Sequence, residues 1–193
     1  RRNFLLKRKL FTSVKNMTIV TVSDWLNNIV KRSFLKDYPV LTIHNGINTE
    51  VFKPTGSSET MEKIKEKYGI PSKFMIIGVT SVWTKRKGLA DFIELSGHLP
   101  DDSVIVLVGL TPKQIKDLPD NIIGIPRTEN VRVLASLHSA ADVFLNPTWE
   151  DNFPTTNLEA LGSGTPVITY NTGGSIEAVS PGTGFIVEQG DIR

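Results

Sequence analysis

Three consecutive cations stand where the sequence predicts the start of a helix. Lys85, Arg86 and Lys87 follow an apolar, β-rich segment and come directly before Gly88 and a helical stretch. Helix N-termini carry partial positive charge, so cations there are unfavourable by roughly a few tenths of a kcal/mol each. A bound diphosphate would remove this conflict, because helix N–H groups and cations both bind phosphate. The alternative is a solvated charge run, but the position and sign of the charges favour a bound anion.

A second loop of interest follows another β-rich segment, over residues 146–159. Thr156 and Glu159 have the spacing of a capping box, and Pro154 suits a helix entrance, so helix initiation accounts for most of these residues. The pair Trp149 and Phe153 could be core or a pocket wall, and core is favoured. The same helix start could still receive phosphate or sugar hydroxyls on its free backbone N–H groups.

A third loop carries Gly173 and Gly174, again after a β-rich segment. Two glycines permit a tight turn and a close approach of the backbone to a ligand. The loop matches neither the G-x-G-x-x-G pattern nor the Walker P-loop, and the chain has no G-x-S-x-G. These absences argue against NAD enzymes, P-loop NTPases and the common hydrolases.

The elements that would position these loops alternate between strand and helix. Such alternation predicts an α/β fold with a doubly wound, Rossmann-like parallel sheet, in which ligands bind beyond the carboxyl ends of the strands. We expect strands over Met17–Val22, Val40–Ile43, Phe74–Thr80, Val104–Gly109, Ile122–Ile125, Val143–Asn146, Val167–Tyr170 and Phe185–Val187. We expect helices over Trp25–Leu35, Glu59–Tyr68, Leu89–Leu95, Asn130–Ala140 and Thr156–Leu161.

Linker composition over residues 53–58 predicts two domains. Residues 55–193 contain enough strands for a complete sheet, whereas residues 1–54 contain only two candidates. We therefore interpret residues 1–54 as the tail of a truncated domain plus a connector. The start at Arg1, without an initiator Met, also indicates a fragment.

Composition excludes several functional classes. The 193 residues are 39% hydrophobic and 22% charged, typical of a soluble globular protein, and the net charge of +2 gives no reason to expect nucleic acid as a partner. With no cysteine and three histidines, we expect no metal site and a reducing compartment, hence the cytoplasm. No apolar run is long enough to span a bilayer, and no signal peptide is visible.

The N-terminal stretch from Arg1 to Phe11 is basic and amphipathic. One interpretation is peripheral attachment to an anionic membrane surface, at its inner face. The other is a surface helix of the truncated domain, and this is favoured because a domain core would use the same apolar residues.

Five motifs in order resemble the donor domain of family 4 retaining glycosyltransferases, which have the GT-B fold. The resemblance runs from about Thr18 to the C-terminus, and the ordered set is far more specific than any one motif. The motifs are Thr21-Val22-Ser23-x-Trp25-Leu26, Ile43-His44-Asn45-Gly46-Ile47-Asn48 with Phe52-Lys53-Pro54, Lys87-Gly88, Asp151-x7-Glu159-Ala160 with Gly164-Thr165-Pro166-Val167-Ile168, and Thr172-Gly173-Gly174-x-x-Glu177.

The chain departs from the family pattern at several positions. Asp151 stands where the family has Glu, and Pro154 stands where it often has Gly, which removes one backbone donor. Asn48 replaces the common Asp. The family Arg several residues before the Lys is missing, and Arg86 or Lys85 is our candidate to supply its charge.

The resemblance implies transfer of a sugar from a nucleotide donor with retention, without a metal or other cofactor. It implies that residues 1–54 end the acceptor domain, so this chain alone is expected to be inactive. The implied partners are a nucleotide-diphosphate sugar, a saccharide or lipid-linked acceptor in polysaccharide biosynthesis, and the protein's own N-terminal domain. By this resemblance, Lys87 with Arg86 binds the diphosphate, and Asp151 accepts hydrogen bonds from hydroxyls of the donor sugar. Glu159 bonds the ribose of the nucleotide. Backbone groups of the donor site come from near Phe153, Thr155, Thr156, Gly173 and Gly174.

Two other classes share parts of this pattern. A nucleotide-sugar epimerase has the same fold type but needs a more complete first domain and further acid–base residues. A non-catalytic nucleotide-binding or interaction domain would tolerate replacement of Lys87 and Asp151.

Overall fold

The computed structural model describes residues 2–55, 57–128 and 130–192. Arg1, in the predicted basic N-terminus, and Gly56, in the predicted linker, lie outside the described residues, as do Glu129 and Arg193. The chain forms two compact units, residues 1–45 and residues 46–193. None of the helices in the described ranges is long and apolar enough to cross a membrane.

The first unit contains two helices and two short parallel strands. Its elements are α1 (Arg2–Thr12), β1 (Ile19–Thr21), α2 (Asp24–Val30) and β2 (Val40–Thr42), with β1 and β2 paired in parallel. Ser23 caps α2 by accepting a hydrogen bond from the Leu26 N–H, at 3.1 Å. The prediction that α2 reaches Leu35 is wrong. The Ser33 hydroxyl bonds to the Val30 carbonyl and the Leu35 N–H, and such local bonds compete with helical ones.

The second unit alternates strands and helices throughout. Its helices are α3 (Ser58–Lys67), α4 (Leu89–Ser96), α5 (Pro112–Lys116), α6 (Val131–Ala140) and α7 (Thr155–Gly162), with 3-10 turns at Lys85–Lys87 and Ser175–Ala178. Its strands are β3 (Phe74–Val79), β4 (Ser103–Leu110), β5 (Ile122–Pro126), β6 (Val143–Asn146), β7 (Val167–Tyr170) and β8 (Gly184–Val187). The sequence did not predict α5, which begins at a capping box formed by Thr111 and Gln114.

The six strands of the second unit form one parallel sheet in the order β5-β4-β3-β6-β7-β8. This confirms the predicted doubly wound parallel sheet. The chain passes outward from β3 through β4 to β5, and then returns to β6 on the other side of β3. Strand order therefore reverses between β3 and β6, and in such sheets the crevice at that reversal is where ligands bind.

Each face of the sheet has its own core. Met75, Ile77 and Val106 belong to one buried cluster, and Ile76 and Ile105 belong to the other. Alternate residues of β3 and β4 thus point to opposite cores, which explains why these strands read as continuous apolar runs.

The two compact units divide between Asn45 and Gly46, earlier than the domain boundary placed at 54/55 from sequence. The end of the connector packs on the second unit. Phe52 is buried, and the Thr55 N–H donates to the Ser139 hydroxyl at 3.2 Å. Burial of an aromatic ring outweighs the linker-like composition around it.

His138 of α6 is a fully buried histidine between two aromatic rings. Its ring centroid lies 5.3 Å from that of Phe144 and 6.3 Å from that of Phe52, both edge to face. Within the described residues, neither ring nitrogen has a hydrogen-bond partner. Burial lowers the pKa of His138 from 6.5 to about 3, so the folded protein holds this ring neutral.

This burial predicts a loss of stability in acid. Because the folded pKa is depressed, unfolding takes up a proton once the pH falls below 6.5, and the penalty grows until the pH reaches about 3. Across that window the free energy of unfolding should fall by up to about 1.4 kcal/mol per pH unit from this residue alone. The free energy of unfolding, measured in urea, should differ less between pH 7 and pH 5 for His138→Leu than for the parent. Equal differences would show that His138 does not titrate in this way.

Candidate functional site

Two loops meet at the reversal of strand order. One, residues 81–88, follows β3, and the other, residues 147–154, follows β6. The Trp149 N–H donates to the Arg86 carbonyl at 2.8 Å, and the Thr148 hydroxyl lies 3.4 Å from the same oxygen. The two loops are therefore held together through backbone groups.

Gly88 allows the two loops to approach. It adopts a left-handed conformation with φ +76°, and a Cβ atom there would lie 2.3 Å from the Pro147 carbonyl oxygen. Only glycine fits without moving one of the loops. Gly88 is also the N-terminal cap of α4, with no side-chain cap bond among the described residues.

The three predicted cations form a 3-10 turn immediately before Gly88. Lys85 and Arg86 are exposed, whereas Lys87 is half-buried and forms an ion pair with the Asp151 carboxylate. In this structure the Asp151 carboxylate already supplies an anion to Lys87, so the charge of Lys87 does not by itself require a bound ligand. The sequence did not indicate this pairing, because the two residues are 64 positions apart and belong to loops that only the sheet brings together.

The glycine loop after β7 packs against Asp151. The Gly174 N–H donates to the Asp151 carbonyl at 3.0 Å. Gly173 has φ +53°, and a Cβ atom there would lie 2.1 Å from that same oxygen. The close backbone approach predicted for these glycines is thus made to Asp151 itself. Gly173, Gly174, Lys87 and Asp151 consequently meet at one place.

The start of α7 differs from the predicted capping box. Pro154 is the N-cap and makes no side-chain cap bond among the described residues, because proline has no polar side chain. Thr156 lies inside the helix, and Glu159 instead accepts a hydrogen bond from the Thr155 side chain. Burial raises the pKa of the half-buried Glu159 carboxyl. Glu159 is therefore not explained as a cap.

The α7 start offers backbone donors. Within the described part of the chain, no acceptor is seen for the N–H groups of Thr155 and Thr156, as expected for the first turn of a helix. The Phe153 N–H, also predicted to be free for a ligand, donates to Asp151 Oδ1 at 3.3 Å. The Phe153 ring is buried, as predicted, whereas Trp149 is 46% exposed and is not a core residue.

A buried polar network lies beneath α7. Asn157 is fully buried; it accepts a hydrogen bond from Asn146 Nδ2 at 2.7 Å and donates to the Ser175 carbonyl at 3.0 Å. The Ser175 hydroxyl lies 2.7 Å from that of Thr169. These bonds join the ends of β6 and β7 to α7, so the helix start is fixed relative to the sheet. The network has no short-range signature, and our sequence reasoning missed it.

A second missed cluster surrounds Asp91 of α4. Its carboxylate is buried and accepts hydrogen bonds from Trp149 Nε1, at 3.0 and 3.2 Å, and from the Tyr170 hydroxyl, at 2.8 Å. The two rings pack edge to face with centroids 6.3 Å apart. Burial and the bond to Asp91 raise the pKa of Tyr170, so its hydroxyl stays protonated and remains a donor.

An apolar groove of about 470 Å³ lies beside the site. Asp91 and Tyr170 line it together with apolar side chains such as Leu145, Ile168 and Phe185. Lys87, Arg86 and Asp151 do not line it, and a diphosphate needs cations and N–H donors. The candidate anion site is therefore the meeting point of the loops rather than this groove.

Known proteins support the predicted family. The family described as "Glycosyl transferases group 1" matches residues 60–193. The chain is 26% identical over 159 residues to a processive diacylglycerol alpha-glucosyltransferase of Acholeplasma laidlawii, covering 78% of this chain and 47% of the relative. It is 27% identical over 192 residues to CapM of Staphylococcus aureus, a capsular polysaccharide biosynthesis glycosyltransferase, covering 91% and 49%. The chain thus spans about half the length of these relatives.

Solved structures support the predicted fold. The chain superposes with a TM-score of 0.75 on Anabaena HepE in complex with UDP-glucose, at 20% identity, covering 91% of this chain and 50% of that one. The family match covers well over half of the sequence. The predicted resemblance to family 4 glycosyltransferases with the GT-B fold is confirmed: the chain belongs to the glycosyl transferases group 1 family.

Proposed function

We propose that this chain binds the nucleotide-sugar donor of a retaining glycosyltransferase. One observation carries the proposal: Lys87, the carboxylate of Asp151 and the open start of α7 lie at the loops that follow the two strands where strand order reverses. In transfer, the bond from the sugar to the diphosphate breaks, and negative charge grows on the leaving diphosphate. A fixed cation and helix N–H groups stabilise that charge without a metal ion.

The Lys87–Asp151 ion pair gives the two residues complementary roles. Phosphate oxygens would compete with the Asp151 carboxylate for the Lys87 ammonium. An Asp151 carboxylate released from Lys87 can accept hydrogen bonds from sugar hydroxyls, as the family resemblance implies. Arg86 is exposed three residues before α4 begins, and it supplies a second cation to the diphosphate. The Thr155 and Thr156 N–H groups donate to the same phosphates.

The names of the relatives guide the choice of donor and acceptor. HepE was solved with UDP-glucose, so uridine nucleotides are the first donors to test. The A. laidlawii relative acts on diacylglycerol, and CapM belongs to capsular polysaccharide biosynthesis. We propose a saccharide or lipid-linked acceptor, bound by an N-terminal domain of which residues 1–45 form the end, with the enzyme at the cytoplasmic face of a membrane.

The proposal is tested by calorimetric titration with UDP, GDP, ADP and dTDP, and with the corresponding nucleoside monophosphates. At least one diphosphate should bind, and it should bind more tightly than its monophosphate, because the second phosphate gains charge-assisted hydrogen bonds of about 1.5–3 kcal/mol. Equal affinity for monophosphate and diphosphate would contradict a diphosphate site at Lys87.

Glu159→Gln should weaken nucleotide binding while barely changing the melting temperature. If the Glu159 carboxylate bonds the ribose, Gln exchanges a charged hydrogen bond for a neutral one, at a cost of roughly threefold to thirtyfold in affinity. Folding should not suffer, because burial already disfavours the charged carboxyl and Gln retains a carbonyl acceptor for the Thr155 hydroxyl. Pyrophosphate, which lacks a ribose, is the control: its affinity should not change. Unchanged nucleotide affinity would leave Glu159 a structural residue only.

The less favoured interpretation of helix α1, attachment to anionic membranes, also predicts a measurable result. Leu5, Leu6, Leu10 and Phe11 are all about half exposed, and α1 has no acidic residue. Flotation with phosphatidylglycerol vesicles should recover the chain, and pure phosphatidylcholine vesicles should not. Each basic residue near such a surface contributes about 1 kcal/mol, so replacing three with alanine should abolish flotation. The replaced residues are Lys7, Arg8 and Lys9, and the charge-matched control replaces Lys63, Lys113 and Lys116. Equal loss in both variants would rule out a specific role for α1.

A further inference from the structure

Asp91 is a buried carboxylate without a cationic partner. It is 7% exposed, and no Lys, Arg or His pairs with it in the described ranges of the chain. Two neutral donors, Trp149 Nε1 and the Tyr170 hydroxyl, satisfy its oxygens. Removing a carboxylate from water is costly, and neutral donors compensate for it less well than an ion pair would. Stability alone therefore gives a weak reason for an acid at this position.

The position of Trp149 gives a stronger reason. Its backbone N–H donates to the Arg86 carbonyl at 2.8 Å, its carbonyl accepts from Gln189 Nε2 at 2.9 Å, and its indole N–H donates to Asp91. Trp149 is thus fixed by residues of two segments, 86–91 and 189, that are distant from it in sequence. It stands two residues before Asp151 and directly against the residue that precedes Lys87.

Trp149 is held by polar bonds rather than by burial, since 46% of its surface is exposed. A half-exposed indole gains only part of the hydrophobic stabilisation of a core tryptophan, so its hydrogen bond to Asp91 contributes a large share of its orientation. Loss of that bond would free the ring and remove one of the three attachments that fix Trp149, two residues before Asp151.

We propose that Asp91 is a positioning residue for the donor site, acting through the Trp149 indole on the loop that carries Asp151. The inference rests on the proposed function. Asp91 does not touch the donor in this arrangement; it fixes the crossing of the loops that follow β3 and β6. The same carboxylate anchors the end of β7 through Tyr170, so its two hydrogen bonds have different consequences. The hydrogen bond from the Trp149 indole determines donor affinity, and the hydrogen bond from the Tyr170 hydroxyl determines stability.

Asp91→Leu tests this idea, because leucine is close in size to aspartate but has no acceptor for the indole N–H. Affinity for the tightest-binding nucleoside diphosphate should fall roughly threefold to tenfold, equivalent to about one hydrogen bond. Trp149→Phe, which removes the indole N–H, should weaken binding to a similar extent. The double variant should bind no more weakly than either single variant, because both changes remove the same interaction.

Tyr170→Phe is the matched control, since it removes the other hydrogen bond to the same carboxylate. It should lower the melting temperature yet leave nucleotide affinity within about twofold, measured at a temperature where all variants are folded. Changes in melting temperature without changes in affinity for Asp91→Leu and Trp149→Phe would overturn the proposal. So would additive losses in the double variant. If the parent chain binds no nucleoside diphosphate at all, the proposed function fails first, and the two failures are thereby distinguished.

Discussion

Replacing Lys87 with alanine should weaken the binding of a nucleoside diphosphate roughly tenfold to a hundredfold. A charge-assisted hydrogen bond to phosphate contributes about 1.5–3 kcal/mol, and each tenfold change in affinity corresponds to about 1.4 kcal/mol. Lys87 is half-buried at the reversal of strand order, where its ammonium is already fixed by Asp151. Titration calorimetry measures the loss. Lys73→Ala is the control, because it removes the same charge from an exposed residue at the opposite, amino-terminal end of β3 and should leave affinity within about twofold.

Lys87→Ala should also be less stable than the parent, because it leaves the Asp151 carboxylate without its cation. The side chains of Lys87 and Asp151 are 25% and 17% exposed. The expected cost lies between the roughly 0–1 kcal/mol of a surface pair and the roughly 3–5 kcal/mol of a broken buried pair. The double variant Lys87→Ala/Asp151→Asn should regain stability without regaining diphosphate binding. Affinity that returned with stability would mean that Lys87 acts only through folding.

Gly88→Ala should be strongly destabilising and should also abolish tight nucleotide binding. The left-handed backbone costs a non-glycine residue about 1–2 kcal/mol, and the new Cβ would collide with the Pro147 carbonyl oxygen, 2.3 Å away. We expect a total loss of about 3 kcal/mol or more, with a fall in melting temperature of roughly 6–12 °C. Calorimetric melting measures this fall, and titration measures the binding.

Gly69→Ala is the matched control for that collision. Gly69 has a similar φ of +64°, but a Cβ atom there would meet nothing within 4 Å. It should show only the conformational cost of about 1–2 kcal/mol, with nucleotide affinity unchanged. Similar melting temperatures for the two alanine variants would show that the contact between Gly88 and Pro147 does not hold the loops together.

Much of the fold was predictable because the strands are buried on both faces. Two strands match the prediction residue for residue, Val143–Asn146 and Val167–Tyr170. Short apolar runs of this kind are typical of strands buried on both faces of a parallel sheet. Helix ends were predictable where a cap is local, as at Ser23. They were not where a side chain competes for backbone bonds, as Ser33 does at the end of α2.

The site was predictable in its loops but not in its contacts. The rule that ligands bind at the carboxyl ends of parallel strands selected the segments containing Lys87, Asp151 and Gly173. It could not reveal that Lys87 pairs with Asp151, or that Asp91 holds Trp149, because these contacts join residues far apart in sequence. The predicted capping box at Thr156 is wrong for a local reason. Helix α7 begins at Thr155, one residue before the predicted start, and Pro154 is its N-cap.

A crystal structure of the chain with UDP-glucose, or with whichever nucleotide sugar binds most tightly, tests the donor site most directly. The diphosphate should lie where the loops after β3 and β6 meet. Its oxygens should be within about 2.7–3.2 Å of Lys87 Nζ and of the Thr155 or Thr156 backbone nitrogen. The Asp151 carboxylate should have moved from Lys87 to a sugar hydroxyl. A nucleotide bound elsewhere, with the Lys87–Asp151 ion pair intact, would contradict the proposed donor site.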